Sequence, residues 1–257
     1  MRFSVLASGS GGNACYVETD NSRILIDAGL SCREVMKRLE ALEVKPVHLD
    51  ALVITHEHLD HIKGAGPISR RFNIPVYIND STMQKVKESI GKISEYVSFD
   101  TGRTIRINDV IVETFTKCHD ATDPVGLVVS SNGSRLGMIT DVGRSTRLLE
   151  DRLKGCRALI IEFNHDELML DEGPYPLHLK RRIKGPEGHL SNRDAGELLK
   201  VISHKDLRHV VLAHISEKNN LPEKAFCRAR DILTECGLNN AEILISCQDQ
   251  PVPMREI

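Results

Sequence analysis

The 257-residue sequence lacks the features that would place a protein in a membrane or in a secretory pathway. No apolar segment is long enough to cross a bilayer, and the only apolar stretch near the start, at residues 3–7, is far shorter than a signal-peptide core. The 7 cysteines are odd in number and none forms a Cys-x-x-Cys pair, which argues against a disulfide framework and against a zinc ribbon. We therefore expect a cytoplasmic protein with no membrane partner.

An excess of positive charge is also missing. The 34 Lys and Arg residues are balanced by 36 Asp and Glu residues, and the formal net charge is -2. Any contact with nucleic acid must therefore come from a local basic patch, which argues against a pure DNA-binding module. The hydrophobic content of 40% is ordinary for a globular protein, and no linker, repeat or low-complexity tract interrupts the chain. We expect one domain spanning residues 1–257.

Short strand signals dominate the chain, and helices are interspersed among them. Apolar or alternating runs predict strands at residues 3–7, 16–18, 24–27, 51–54, 76–78, 104–107, 110–115, 125–130, 135–140, 158–161, 210–213 and 242–245. Helices are predicted to begin at Ser31 with Glu34, at Ser191 with Asp194, and at Pro222. This order favours an α/β protein of the α+β type, with two sheets covered by helices rather than one doubly wound sheet.

Four potential metal ligands lie within six residues directly after one of these strands. Residues 56–61 have the sequence His-Glu-His-Leu-Asp-His and follow the apolar run at 51–54, so they lie where a strand ends and a loop begins. Three histidines and an aspartate packed this closely would repel one another or leave polar atoms unpaired unless a cation held them. The motif therefore predicts a metal site, and its imidazole and carboxylate groups suit zinc, manganese or iron.

Three further residues occupy the same kind of position at the end of a predicted strand. His119, Asp141 and His214 each come one to a few residues after an apolar strand. Any one of them alone is more often a hydrogen-bonded loop residue than a ligand. Because the same placement recurs around an evident cluster, we expect all three to join one site.

The pattern His56-x-His58-x-Asp60-His61, followed by those three residues, resembles the metallo-β-lactamase superfamily of dinuclear metallohydrolases. The aspartate that ends the strand at 24–27 also resembles that family's early strand-end aspartate. The likeness implies a metallo-β-lactamase αββα four-layer sandwich with two divalent ions, Zn²⁺ or Mn²⁺, in a cleft between the sheet edges. One ion would be held by His56, His58 and His119 and the other by Asp60, His61 and His214, with Asp141 bridging them.

The same resemblance implies a mechanism. Two ions about 3.5–4 Å apart can share a hydroxide and clamp the oxygens of a phosphodiester. Asp60 would orient or deprotonate the attacking water, while the leaving alkoxide needs a proton from a separate acid. His189 is the candidate acid, because residues 188–191 precede a capped helix and resemble the Gly-His-Ser-Thr loop of tRNase Z, with Leu190 as the departure. The alternative interpretation is a loop histidine near a helix start.

Further substrate-binding candidates lie close to these motifs in sequence. His165, after the strand at 158–161, either lines the cleft or turns the chain into the next helix. Lys180 and Arg181 belong to the concentrated run of positive charge at residues 180–184, which is either a solvated helix face or a track for a nucleic-acid backbone. Ser191 and Asn192 complete the set, at the start of the helix that follows the Gly-His segment.

Several short segments also resemble the YycJ/WalJ group within this superfamily. They are Ser-Gly-Ser at residues 8–10, His-Asp-Ala at 119–121, Asn-His-Asp at 164–166 and Gly-His-Leu-Ser-Asn at 188–192. That likeness implies a 5′→3′ exonuclease that degrades DNA ends in repair, so the leading hypothesis is a dinuclear-metal phosphodiesterase that uses a metal-bound hydroxide.

The alternative enzyme is a small-molecule metallohydrolase that cleaves a thioester, as glyoxalase II does, or a cyclic phosphodiester. It would explain the metal motifs equally well, but it would leave His189 and the basic run without a role. A non-catalytic metal sensor is a third hypothesis. Such a protein would be expected to have lost some of the ligands, all of which are present here.

Overall fold

The computed structural model describes residues 1–44 and 48–257. The strands are β1 (Arg2–Ala7), β2 (Ala14–Glu18), β3 (Arg23–Ile26), β4 (Ala51–Val53), β5 (Pro75–Ile78), β6 (Glu95–Ser98), β7 (Thr104–Ile107), β8 (Val110–Thr116), β9 (Val125–Ser131), β10 (Ser134–Ile139), β11 (Ala158–Glu162), β12 (His209–Ala213), β13 (Glu242–Ile245) and β14 (Arg255–Glu256). The helices are α1 (Cys32–Ala41), α2 (Leu59–Ile62), α3 (Ala65–Phe72), α4 (Asp80–Ile90), α5 (Arg147–Leu153), α6 (Glu167–Glu172), α7 (Leu177–Lys184), α8 (Asn192–Ile202) and α9 (Pro222–Glu235). None of the helices in this part of the chain is long and apolar enough to cross a membrane.

The first sheet has the strand order β14-β1-β2-β3-β4-β5-β6. Antiparallel pairing joins β14, β1, β2 and β3, whereas β3, β4, β5 and β6 run parallel to one another. The carboxyl ends of β3 and β4 therefore lie at the same edge of the sheet. Asp27 follows β3 there, and the histidine-rich motif follows β4.

The second sheet has the order β13-β12-β11-β10-β9-β8-β7. Strands β10, β11, β12 and β13 are parallel to one another, whereas the pairs β7–β8, β8–β9 and β9–β10 are antiparallel. Strands β8, β10, β11 and β12 therefore all run in one direction. Their carboxyl ends lead into His119, Asp141, Asn164 and His214. The three predicted strand-end residues His119, Asp141 and His214 thus follow strands that end at one edge of this sheet, and Asn164 joins them there.

Three apolar clusters explain how the layers hold together. The central cluster lies between the two sheets and takes Val5 and Ile24 from the first sheet and Val112, Leu127 and Val211 from the second. A second cluster packs α1, α3 and α4 against the outer face of the first sheet, and a third packs α5, α8 and α9 against the outer face of the second. This layering confirms the predicted αββα order.

Helix starts follow the predicted caps, whereas several short elements were not predicted. Ser31 Oγ accepts a hydrogen bond from the Glu34 backbone N–H at 3.2 Å, and Pro222 is the first residue of α9. The sequence patterns missed α2, which begins inside the motif predicted as a loop, and also α3, α4, α5, β6 and β14. Strand β6 is largely exposed and has no apolar alternation, and β14 has two residues that form a strand because they pair with β1. Strand β4 ends one residue earlier than predicted, at Val53.

Candidate metal centre

Side chains from both sheets converge on a cleft at the carboxyl ends of the strands. The cleft has a volume of about 430 Å³. Its polar lining includes the ligand candidates and the proposed acid, namely His58, Asp60, His119, Asp141, His189 and His214. The two sheets therefore both contribute side chains to one site.

The first group of ligand candidates is His56, His58 and His119, each of which offers a ring nitrogen within 4.8 Å of the others. His58 Nδ1 and His119 Nε2 are 3.2 Å apart. The opposite ring atoms are occupied, since His56 Nδ1 lies 3.0 Å from Thr55 Oγ1 and His119 Nδ1 lies 3.3 Å from the Gly188 carbonyl oxygen. The remaining nitrogens are thereby left to face one another.

The second group is Asp60, His61 and His214, arranged around Asp141. His61 Nε2 lies 3.5 Å from Asp60 Oδ2 and 3.2 Å from Asp141 Oδ2. His214 Nε2 lies 3.9 Å from Asp60 Oδ2 and 3.4 Å from Asp141 Oδ1. Asp141 Oδ1 is also 3.9 Å from His119 Nε2, so its carboxylate faces both groups.

Backbone conformation fixes the strand-end residues of the site. Asp27, Asp141 and His214 have φ values of 58°, 55° and 54°, a left-handed region that residues other than glycine rarely adopt. Such a conformation costs on the order of 1 kcal/mol or more and persists where neighbouring contacts enforce it. Here the Asp141 N–H donates to the Glu162 carboxylate, and the His214 N–H donates to Ser8 Oγ at 2.8 Å.

Asp27 orients His61. Its Oδ1 accepts a hydrogen bond from the Thr55 N–H at 2.8 Å, and its Oδ2 lies 2.8 Å from both Thr55 Oγ1 and His61 Nδ1. Because Nδ1 is held by this buried carboxylate, Nε2 of His61 is the nitrogen left for the cleft. A carboxylate behind a ligating histidine fixes the ring and makes it a better ligand.

The histidines of the two candidate ligand groups differ in charge when no metal is bound. Burial lowers the pKa of His119 to about 4 and holds the pKa of His56 well below its usual value. Burial also opposes the charge on His61, but Asp27 and Asp141 raise its pKa to about 10. In the same way burial opposes the charge on His214, while Asp141 and Asp60 raise its pKa to about 9. The second group thus stabilises positive charge, as a cation site should.

The donor set fits divalent metal ions. His56 Nε2 is buried and makes no hydrogen bond to any residue in the described part of the chain, while His214 Nε2 and Asp141 Oδ2 are buried and lie 3.2–3.9 Å from other candidate ligands. Buried polar atoms without a partner are costly, and an ion that accepts their lone pairs removes that cost. Imidazole nitrogens combined with carboxylate oxygens are ligands that Zn²⁺ and Mn²⁺ both accept.

His189 lies beside both groups and is held by Glu162. Its Nδ1 is 3.2 Å from Glu162 Oε1, and its ring centroid is 5.0 Å from that of His214. Glu162 is fully buried at the end of β11 and also accepts a hydrogen bond from the Leu190 N–H at 2.8 Å. His189 also belongs to a group of possible metal ligands whose ligand atoms all lie within 4.8 Å of one another, namely Asp141, Glu162, His189 and His214. The metal content of a His189 variant distinguishes a role as metal ligand from a role as proton donor.

The turn between β1 and β2 contacts the site as well. In this turn, Asn13 Nδ2 donates to Asp60 Oδ2 at 3.1 Å. The Asn13 N–H donates to the Asp60 carbonyl oxygen at 2.7 Å. Gly29 packs against the same segment, since a Cβ there would lie 1.6 Å from the Asp60 carbonyl oxygen. Sequence reasoning missed the roles of Asn13 and Glu162, because each residue meets its partner in the site across many positions of the chain.

The structure places the remaining candidates outside the cleft lining. His165 is buried and forms a β-bridge with Ser191, whose side chain caps α8. Asn192 is buried and donates to Asn220 Oδ1 at 2.8 Å. Lys180 and Arg181 lie on α7, and Lys180 Nζ donates to the Asp171 carbonyl oxygen at 2.7 Å. The cleft lining instead includes Arg182, Leu179 and Ile183 from that helix.

Comparison with known proteins shows the family. Residues 22–215 match the β-lactamase superfamily domain. Over 244 residues the chain is 37% identical to exodeoxyribonuclease YycJ of Bacillus anthracis, covering 94% of this chain and 92% of that protein. It is 33% identical to exodeoxyribonuclease WalJ of Streptococcus pneumoniae over 264 residues, covering 100% of this chain and 98% of that protein.

A solved structure extends the likeness to the fold. The metallo-β-lactamase fold protein YhfI from Bacillus subtilis superposes with a TM-score of 0.76 at 14% sequence identity and covers 99% of both chains. The predicted metallo-β-lactamase fold, the predicted resemblance to the YycJ/WalJ group and the prediction of a metal-dependent hydrolase are confirmed. With its two sheets, its converging histidines and these relatives, the chain belongs to the β-lactamase superfamily.

Proposed function

We propose that the protein is a dinuclear-metal phosphodiesterase that shortens DNA from its 5′ ends. The observation that carries this proposal is the 37% identity, over 94% of the chain, to a protein named as an exodeoxyribonuclease. The site supports it in two ways. It offers ligand atoms for more than one ion, and it holds a separate histidine where a leaving oxygen would need a proton.

Seven converging side chains would hold two divalent ions. In this proposal His56, His58 and His119 would hold one ion, Asp60, His61 and His214 would hold the other, and Asp141 would contribute to both sets. When bound, such a pair supplies a water of lowered pKa and neutralises charge on phosphate oxygens. The imidazole-rich set favours Zn²⁺ on affinity, and metal availability makes Mn²⁺ an equal candidate.

Asp60 is proposed to accept a proton from the attacking water. It lines the cleft, and the Asn13 amide orients its carboxylate. Burial opposes its charge, but the neighbouring His214 and His61 lower the pKa of Asp60 below its ordinary value. A carboxylate that is ionised and oriented in this way can hold the attacking water, and it would accept a proton from it once bound ions had lowered the pKa of that water.

His189 is proposed to protonate the leaving group. In the reaction, water adds to phosphorus, the P–O3′ bond breaks, and O3′ of the departing nucleotide takes up a proton. Because Glu162 holds His189 Nδ1, the ring's Nε2 is the atom that can donate to O3′. An alkoxide needs such an acid far more than a thiolate does, so the His189–Glu162 pair favours a phosphodiester over a thioester.

The proposed DNA contacts beyond the scissile bond come from α7. Lys180 and Arg181 are placed on this helix, which borders the cleft through Leu179, Arg182 and Ile183. Cations on this helix can follow the phosphate backbone that leads away from the metal centre. A local patch of this kind is required because the protein as a whole carries no positive excess.

The test uses two linear duplexes with 5′-phosphates, one labelled at the 3′ end and one at the 5′ end, incubated with the metal-loaded protein. Attack from the 5′ end should shorten the 3′-labelled strand progressively and release the 5′ label as a mononucleotide from the earliest times. His189→Ala should slow both while binding as much metal as the wild type. His48→Ala, at an exposed position outside the cleft, is the matched control.

Three outcomes would count against the proposal. Release of mononucleotides from the 3′ end would refute the polarity. Loss of metal in His189→Ala would show that His189 is a ligand rather than the acid. Intact DNA in the presence of protein with two bound ions, combined with hydrolysis of a glutathione thioester, would refute the phosphodiesterase and favour the small-molecule hydrolase.

A further inference from the structure

The cleft over the metal-binding side chains has a second, apolar wall. Leu179 and Ile183 line it from α7, four residues apart and therefore on the same face of that helix. Tyr175 lines it from the segment that joins α6 to α7, and Ile215 lines it directly after His214. A phosphate group needs none of this apolar surface, so the wall points to another part of the substrate.

Tyr175 is held in place before any substrate binds. It lies between Pro174 and Pro176, and proline fixes its own φ angle and restricts the residue before it. Lys218 Nζ lies 5.8 Å from the centroid of the Tyr175 ring, within the range of a cation–π contact. A half-buried aromatic ring that is restricted in this way loses little freedom when a flat group stacks on it.

The size and charge of the cleft limit what can occupy it. Its volume of about 430 Å³ lies in the lower part of the range, roughly 300–1,000 Å³, in which small-molecule sites fall. One nucleotide fits this space better than a base pair does. Arg182 lines the same cleft and forms an ion pair with Asp120, in which its Nε lies 2.5 Å from Asp120 Oδ2.

We infer that the apolar wall is a nucleobase subsite in which the Tyr175 ring stacks on the base of the terminal deoxynucleotide. This inference rests on the proposed function and names the part of the substrate that the cleft recognises. Stacking on an aromatic ring tolerates any base, because every base has a π face. The terminal nucleotide of a duplex must therefore unpair from the opposite strand before it is cleaved.

The test isolates the base of the first nucleotide. Two linear duplexes carry a 5′-phosphorylated overhang of one nucleotide, which is thymidine in one and an abasic tetrahydrofuran in the other. Release of this first unit is measured with metal-loaded protein. The wild type should cleave the thymidine end with a kcat/KM about tenfold above that of the abasic end, since stacking contributes about this much per base.

Variants then assign the difference to the ring. Tyr175→Ala should lose most of the tenfold preference, and Tyr175→Phe should keep it because the aromatic face remains. Tyr175→Leu gives a second loss variant that keeps apolar bulk, should the alanine variant fold poorly. Tyr96→Ala, at a 41% exposed tyrosine on β6 outside the cleft lining, is the control and should keep the wild-type preference.

Equal cleavage of the two ends by the wild type would overturn the subsite, and so would an equal loss on both ends in Tyr175→Ala and Tyr175→Leu. In either case the DNA is still degraded, so the proposed exonuclease would stand. If metal-loaded wild type cleaves neither duplex, both the proposed function and the subsite fall together.

Discussion

At the scale of single residues, the histidines of the cleft carry different charges because their neighbours differ. His61, with a pKa of about 10, and His214, with a pKa of about 9, are imidazolium ions near neutral pH when no metal is bound. His119, with a pKa of about 4, is neutral. A metal ligand must be deprotonated, so uptake of metal near neutral pH should release about two protons per chain. Calorimetric titration in buffers of different ionisation enthalpy counts them.

The sign of the pH dependence follows from the same values. Both pKa values are raised, so each histidine keeps its proton below about pH 9 and loses it as the pH rises toward 10. Metal affinity should therefore increase with pH, by up to about a hundredfold per unit at neutral pH, and should level off above pH 10. Release of less than one proton at neutral pH would contradict this assignment.

Glu162 contacts the proposed acid His189, and a substitution of Glu162 tests whether this contact supports catalysis. Glu162→Gln keeps the shape of the side chain but removes the charge that pairs with His189. We expect kcat to fall by about 10²-fold, at the lower end of the range for general acid catalysis, with the metal content unchanged. Because the two residues act as a unit, the double variant with His189→Ala should be little slower than His189→Ala alone. If the losses in kcat of the two single variants multiplied in the double variant, the two residues would act independently.

At the scale of elements, the start of α8 positions the proposed acid. Ser191 caps this helix by accepting a hydrogen bond from the Asp194 N–H at 3.1 Å, two residues after His189. Ser191→Ala should cost about 1 kcal/mol of unfolding free energy. It should also lower kcat, because the loop that carries His189 loses its anchor.

Thr146→Ala is the matched control, since Thr146 caps α5 by accepting from the Leu149 N–H at 3.3 Å. It should lower the free energy of unfolding by a similar amount and leave kcat at the wild-type value. Urea denaturation and steady-state kinetics on both variants make the comparison. An equal effect of the two substitutions on kcat would show that Ser191 contributes stability alone.

The elements that could be predicted from the sequence are those that neighbouring residues determine. The caps of α1 and α8 and the apolar strands before His56, Asp141 and His214 follow from neighbouring residues, and the structure has them where the patterns indicated. Strand β14 owes its existence to β1 at the far end of the chain. Glu162 meets His189 across 27 positions, and Asn13 meets Asp60 across 47, so no local pattern connects either pair.

At the scale of the whole molecule, we propose a single domain across residues 1–257. The central apolar cluster takes Phe3 and Ile24 from the first sheet, Leu127 and Val211 from the second, and Val252 from near the end of the chain. Neither sheet can unfold alone without exposing this shared core to water, so thermal unfolding should be one cooperative transition. Calorimetry would contradict the proposal if it resolved two separate transitions.

We propose that two ions bound in one cleft make the protein a nuclease for DNA ends. The most direct measurement follows mononucleotide release from a 5′-phosphorylated linear duplex as a function of manganese bound per chain, for the wild type and for Asp60→Ala. Release by the wild type should reach its maximum only when the second ion binds, and Asp60→Ala should release nothing at any loading. Full activity with one ion, or undegraded DNA with two ions bound, would contradict the claim.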